Sequence, residues 1–168
     1  IFKDEDADVR KERRHMETDM KNRDILKQRF GHTEFREGQA ELIDAILAGR
    51  DVFGVMPTGA GKSVCYQIPA LMLEGITLVI SPLISLMKDQ VNALVQSGIS
   101  AAYLNSSLTA PQYAEVLRRA ANGEYKILYV APERLAAAGF LRFAEAATIS
   151  MATVDEAHCV SQWGQDFR

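Results

Sequence analysis

The sequence is poor in the residues that would staple a fold together or carry it into a membrane. Cysteine occurs only at Cys65 and Cys159 in 168 residues, far apart and outside any CxxC spacing. That excludes a disulfide framework and a zinc ligand set, so both read as buried thiols in a reducing compartment. No apolar run approaches the roughly 20 residues that cross a bilayer. The first residues are too charged for a signal peptide, so no membrane partner and a cytoplasmic location are expected. An excess of positive charge is also missing. With 19 basic against 22 acidic side chains and a net charge of −3, the molecule has no overall field to gather a polyanion. Any nucleic acid has to be held by local contacts. What is plentiful is apolar surface, 48% of residues, enough for one sizeable core. The chain begins at Ile1 in place of Met, as a fragment does.

Residues 1–24 mix both signs of charge densely and offer few apolar positions. They read as a charged N-terminal lead, a solvated helix or a flexible segment, with partner binding as the alternative. Residues 25–168 read as one domain. A short amphipathic helix carrying Ile25, Leu26, Arg29 and Phe30 stops at Gly31, and REGQAELIDAILAG places Leu42, Ile43, Ile46 and Leu47 at helical spacing before Gly49. DVFGV, TLVIS, AAYLN, KILYVA and ISMATV then read as strands, mostly apolar throughout, as strands covered on both faces are. Between them lie the helical stretches GKSVCYQIPALMLE, ISLMKDQVNALVQSG and TAPQYAEVLRRAANG, and a weaker Ala-rich stretch over residues 133–147. In the third, Thr109 is the expected N-cap, Pro111 lies in the first turn and Gly123 follows the last. This alternation predicts an α/β fold, a parallel sheet flanked by helices, with ligands at the carboxyl ends of the strands.

The polar motifs fall at those ends. VFGVMPTGAGKS runs from a predicted strand into a helix. Gly59 and Gly61 let backbone N–H groups converge on phosphate without Cβ atoms in the way, Lys62 would reach the β and γ phosphates, and the Ser63 hydroxyl would ligate Mg²⁺. The strict GxxxxGK[ST] pattern fails, because its first glycine falls at Met56. Pro57, Thr58 and Ala60 complete instead a PTGxGKS form that resembles the loop of helicase-type ATPases. Further on, Asp155 and Glu156 follow ISMATV directly. Such a pair could hold a metal through Asp155 and orient the attacking water through Glu156, or be no more than a helix cap or solvated turn. His158 is a coupling residue or an ordinary hydrogen-bonding histidine at a helix start.

Taken in order, FGHTEFREGQ, MPTGAGKS, ISPLISLMKDQV, APERL and VDEAHCVSQWGQDFR resemble the first motor domain of the RecQ-type DNA helicases of superfamily 2. The resemblance runs from about Ile25 to Arg168 and implies a P-loop NTPase of the RecA-like kind. It implies that Gln39 reads adenine through two hydrogen bonds, with Arg36 in the same motif and His32 where an aromatic residue often stacks on the base. It also implies DNA-phosphate contacts at Ser81 and Pro82, beside Lys88, and at Arg134. Without the resemblance, Ser81 and Pro82 are as well read as a plain helix cap with Lys88 solvated. In SQWGQDFR, the resemblance implies an aromatic-rich loop, with Gln162, Trp163, Gln165, Phe167 and Arg168, that senses single-stranded DNA and signals to the acidic pair. Trp163 and Phe167 would stack on bases at roughly 1–3 kcal/mol each. Otherwise Trp163 is a core residue.

Gln165 departs from the histidine usual in the bacterial family, which removes a protonating ring and keeps hydrogen bonding. The expectation is therefore one part of an ATP- and Mg²⁺-dependent helicase that moves 3′ to 5′ on single-stranded DNA and separates duplex DNA in repair or recombination. By the same resemblance, a second motor domain supplies an arginine to the ATP. The chain stops before the remaining strands of the first domain, so it is expected to bind nucleotide weakly and not to unwind DNA alone. The alternatives are an RNA helicase of the same superfamily and a non-catalytic binding module.

Overall fold

The computed structural model describes the backbone of residues 5–57 and 59–157, and within these the side chains from residue 16 onward. Two compact units divide at Ile68 and Pro69.

The first unit begins with helix α1, Glu5–Phe30, which runs without a break through the charged lead and the amphipathic segment after it. Its exposed Arg23 and Asp19 pair at 3.0 Å, one turn apart, while Asn22 and Leu26, also one turn apart, are buried. Gly31 ends the helix by donating to Lys27 O at 3.2 Å. Helix α2, Gln39–Leu47, ends at Gly49, whose N–H bonds Ile46 O while that of Arg50 bonds Ala45 O. This is the paired closure of a glycine-terminated helix.

Residues 51–57 form no strand, although DVFGV has the composition of one. Phe53 and Val55 are 84% and 83% exposed. A strand exists only where a neighbour completes its ladder, and the sheet of the described residues has four strands, none from this segment. Gly54 instead lies close to α2, where an added Cβ would meet Leu42 Cδ1 at 3.1 Å. Helix α3, Lys62–Met72, begins in this unit and carries Pro69 within it.

The second unit is built on β1 (Ile76–Ile80), β2 (Ala101–Leu104), β3 (Ile127–Val130) and β4 (Ile149–Val154). All pair in parallel in the order β2-β3-β1-β4, with Leu78 opposite Leu128 and Leu128 opposite Ala102. Parallel neighbours need crossovers, and helices α4 (Ile84–Gln96), α5 (Ala110–Ala121) and α6 (Ala138–Ala146) supply them. One sheet face, with Leu78, Leu104, Leu128 and Val130, packs on Ala120 of α5 and Phe140 and Phe143 of α6. Helix α4 adds buried Met87, Val91 and Leu94 next to β2.

The α5 start follows its sequence: the Thr109 side chain accepts from Gln112 N, and the Gln112 side chain accepts from Thr109 N. Strand β4 is less covered than the apolar run ISMATV suggests, with Ala152 and Val154 exposed. It is an edge strand of the sheet, and no strand among the described residues pairs with its outer edge.

Candidate nucleotide and nucleic-acid sites

The loop between residue 57 and α3 belongs to the first unit. Gly59 and Gly61 have φ of 81° and 78°, left-handed values that a Cβ would strain. Two side chains, one from the turn before α2 and one from its first residue, reach this loop. Gln39 is 3% exposed, and its Nε2 donates to Ala60 O at 3.1 Å and to Gly61 O at 3.0 Å. Its Oε1 accepts from Arg36 N at 2.9 Å. Arg36 Nη1 donates to Gly59 O. Both amide protons of Gln39 are thus spent on loop carbonyls, and a Cβ at Gly61 would lie 2.7 Å from its Nε2.

The structure therefore brings Arg36 and Gln39 together with Gly59, Ala60 and Gly61. Lys62 and Ser63 open α3, half-buried. Pro57 is exposed beside the loop, and its carbonyl accepts from Ala60 N at 3.1 Å. His32 is exposed. In the next turn Cys65 is buried, which pushes its thiol up to about 11, so it stays protonated and unreactive at neutral pH.

The second set of residues stands at the carboxyl edge of the sheet. Ser81 N donates to Val130 O at 3.2 Å, and Asp155 N donates to Ile80 O at 2.8 Å, so both leave their strands bonded to the neighbouring one. Asp155 Oδ1 accepts from Glu156 N at 3.0 Å. Glu156 has φ of 54°, the one non-glycine residue with positive φ among those described. That backbone costs about 1–2 kcal/mol and is the kind of strain found at functional sites.

Ser81 is 1% exposed and its Oγ has no hydrogen-bond partner among the described residues. It leads through Pro82 and Leu83 into α4, whose N-cap Leu83 gives no side-chain cap. Open N–H groups and an unpaired hydroxyl together suit an anion. Lys88, one turn further on, is exposed, and Arg134 ends a short 3-10 turn, Pro132–Arg134, after β3. Thr58, His158, Gln162, Trp163, Gln165, Phe167 and Arg168 lie outside the described residues.

Two features escaped the sequence reading. One is the left-handed backbone at Glu156, for which a non-glycine residue gives no signal. The other is Tyr113, whose ring lies under Arg134; spaced with Val116 and Leu117 along α5, it reads only as core.

Residues 36–168 match the DEAD/DEAH box helicase family. The chain is 53% identical over 145 residues to the ATP-dependent DNA helicase RecQ of Pasteurella multocida, covering 86% of this chain and 23% of that protein. It is 51% identical over 145 residues to RecQ of Bacillus subtilis, 86% of this chain and 24% of that one. To the mouse ATP-dependent DNA helicase Q1 it is 46% identical over 157 residues, 88% and 24% of the two chains. The chain thus spans under a quarter of the length of these relatives. A hypothetical ATP-dependent RNA helicase from Sulfolobus tokodaii shares the fold, with a TM-score of 0.67 over 86% of this chain and 43% of that one, at 22% identity. No helix among the described residues is long and apolar enough to cross a membrane.

Proposed function

Because the chain belongs to the DEAD/DEAH box helicase family, we propose that it is the nucleotide-binding part of a RecQ-type, ATP-dependent DNA helicase. The observation that carries this reading is the bracing of the glycine loop by Arg36 and Gln39 through hydrogen bonds, which supports assigning these two residues to adenine and the loop to the phosphates of one nucleotide. About half of the aligned residues are shared with DNA helicases of the RecQ name in two bacteria, which supports DNA as the polymer.

In this reading ATP phosphates sit over the Gly59–Gly61 turn and the start of α3, where glycine backbone and helix dipole favour an anion. Lys62 takes the β and γ phosphates. Adenine reading draws on the same Gln39 amide that holds Ala60 and Gly61, so base binding and loop release compete for two protons. The Ser63 hydroxyl and the Asp155 carboxylate are hard oxygen donors of the kind Mg²⁺ takes, and the Asp155 carboxylate is oriented by the Glu156 N–H. When bound, Mg²⁺ offsets the charge on the β and γ oxygens. Glu156 orients or deprotonates the attacking water, and its left-handed backbone is the kind of strain that functional sites hold. His158 couples this step to the aromatic-rich loop, where Trp163 and Phe167 meet bases, with Gln162, Gln165 and Arg168 beside them. His32 flanks the adenine.

The carboxyl edge is the DNA-phosphate track in this reading: Ser81, Pro82 and the open N-terminus of α4 accept one phosphate, with Lys88 and Arg134 supplying charge. The full-length protein works in the cytoplasm, moves 3′ to 5′ on single-stranded DNA and opens duplexes, with a second motor domain completing the ATP site. The test is ATP hydrolysis by the full-length protein with single-stranded DNA or RNA of matched length. DNA stimulates and RNA does not; equal stimulation by RNA replaces this reading with an RNA helicase.

A further inference from the structure

Three arginines in the second unit are treated differently. Arg118 bonds Glu115 at 2.7 Å and Arg119 bonds Glu124 at 2.7 Å, and both pairs are exposed. Arg134 has no carboxylate partner among the described residues. It is half-buried, its buried Nε has no hydrogen-bond partner among the described residues, and its guanidinium carbon lies 5.3 Å from the centre of the Tyr113 ring. A guanidinium keeps its proton at any working pH, so this cation retains an unmet demand for an anion. The ring attracts the charge and sets the plane of the fork without consuming an N–H.

Tyr113 is itself firmly held. Its N–H bonds Thr109 O at 2.9 Å inside the α5 capping box, and its ring lies against the backbone of α6, where a Cβ at Gly139 would stand 3.5 Å from Tyr113 Cε1. Burial raises its hydroxyl above the usual phenol range, against the pull of the Arg134 charge and a backbone contact at Phe140, so the ring stays neutral. The turn bearing Arg134 leaves β3 beside Ser81, the residue after β1, whose buried Oγ also has no hydrogen-bond partner among the described residues.

We propose that Tyr113 is a positioning residue that presents the Arg134 guanidinium to the phosphate backbone of single-stranded DNA at the β1/β3 carboxyl edge. This rests on the DNA-motor reading above and adds a residue to it. The experiment is DNA-stimulated ATP hydrolysis by the full-length protein, titrated with an oligothymidylate at several salt concentrations. Arg134→Gln raises the half-stimulating DNA concentration by about tenfold and lowers the salt slope by about one. Tyr113→Leu does the same with an unchanged KM for ATP, while Tyr113→Phe, which keeps the ring, stays within about twofold of the parent. If Tyr113→Leu folds poorly, Tyr113→Met carries the same comparison.

A DNA response in Tyr113→Leu or Tyr113→Met equal to the parent, with Arg134→Gln impaired, overturns the role of Tyr113 and leaves the motor reading standing. Loss of ATP KM and DNA response together in the Tyr113 variants also overturns it, since that is a merely structural effect. An unaltered response in Arg134→Gln overturns the phosphate contact. No stimulation of the parent by DNA would instead sink the motor reading itself.

Discussion

The phosphate loop and the carboxyl edge of the sheet differ in what holds them in place. Around the loop, two side chains make the constraint, and every bond they offer goes to a carbonyl: Arg36 to Gly59, Gln39 to Ala60 and Gly61. At the sheet edge, Ser81 and Asp155 are bonded backbone to backbone across parallel strands whose interior residues, among them Val79, Leu128 and Val130, are almost wholly buried. A hydrogen bond that can be exchanged for one to water or ligand contributes only about 0.5–1.5 kcal/mol net, whereas a buried leucine side chain contributes about 2–5 kcal/mol. On the proposed function, the loop can therefore change partners when a nucleotide arrives. The edge holds its residues at fixed spacing whatever is bound.

The largest effect is expected in the sheet. Leu128, 0% exposed and between Leu78 and Ala102 in register, should cost about 3 kcal/mol on conversion to Ala, read as a fall in the urea midpoint. Gln39→Ala should cost about 1 kcal/mol or less by the same measurement, yet weaken ATP binding by about tenfold in calorimetric titration and speed hydrogen exchange in residues 57–61. Were Gln39→Ala as damaging to global stability as Leu128→Ala, the loop tethers would be structural and the contrast would fail.

Much of the sheet edge was legible in the sequence, because apolar runs and helix punctuation act locally. TLVIS, AAYLN, KILYVA and ISMATV became the four strands, and Thr109, Gln112 and Pro111 begin α5 as their chemistry dictates. DVFGV misled because composition reports willingness to form a strand and not the presence of a neighbour. The charged lead read as a solvated helix or a flexible segment because its charges hide any apolar period, yet no residue from 5 to 30 breaks a helix, and the two stretches run on as one up to Gly31.

At the loop, the glycines and Lys62 announce phosphate chemistry. What the Gln39 amide does without a ligand was not legible, because its partners lie more than 20 residues away and are backbone carbonyls that any sequence would supply. The Tyr113 and Arg134 contact is equally a product of tertiary packing.

In the proposed motor, hydrolysis turns on Glu156, the acid with left-handed backbone just after β4. The most direct measurement is ATP binding and DNA-stimulated hydrolysis by the full-length protein bearing Glu156→Gln, which keeps the shape and removes the base. Nucleotide should bind within about threefold of the parent while turnover falls by at least about a hundredfold. Turnover equal to that of the parent would contradict the assignment of Glu156 to the attacking water, and with it the reading of the β4 edge as the hydrolytic end of the motor.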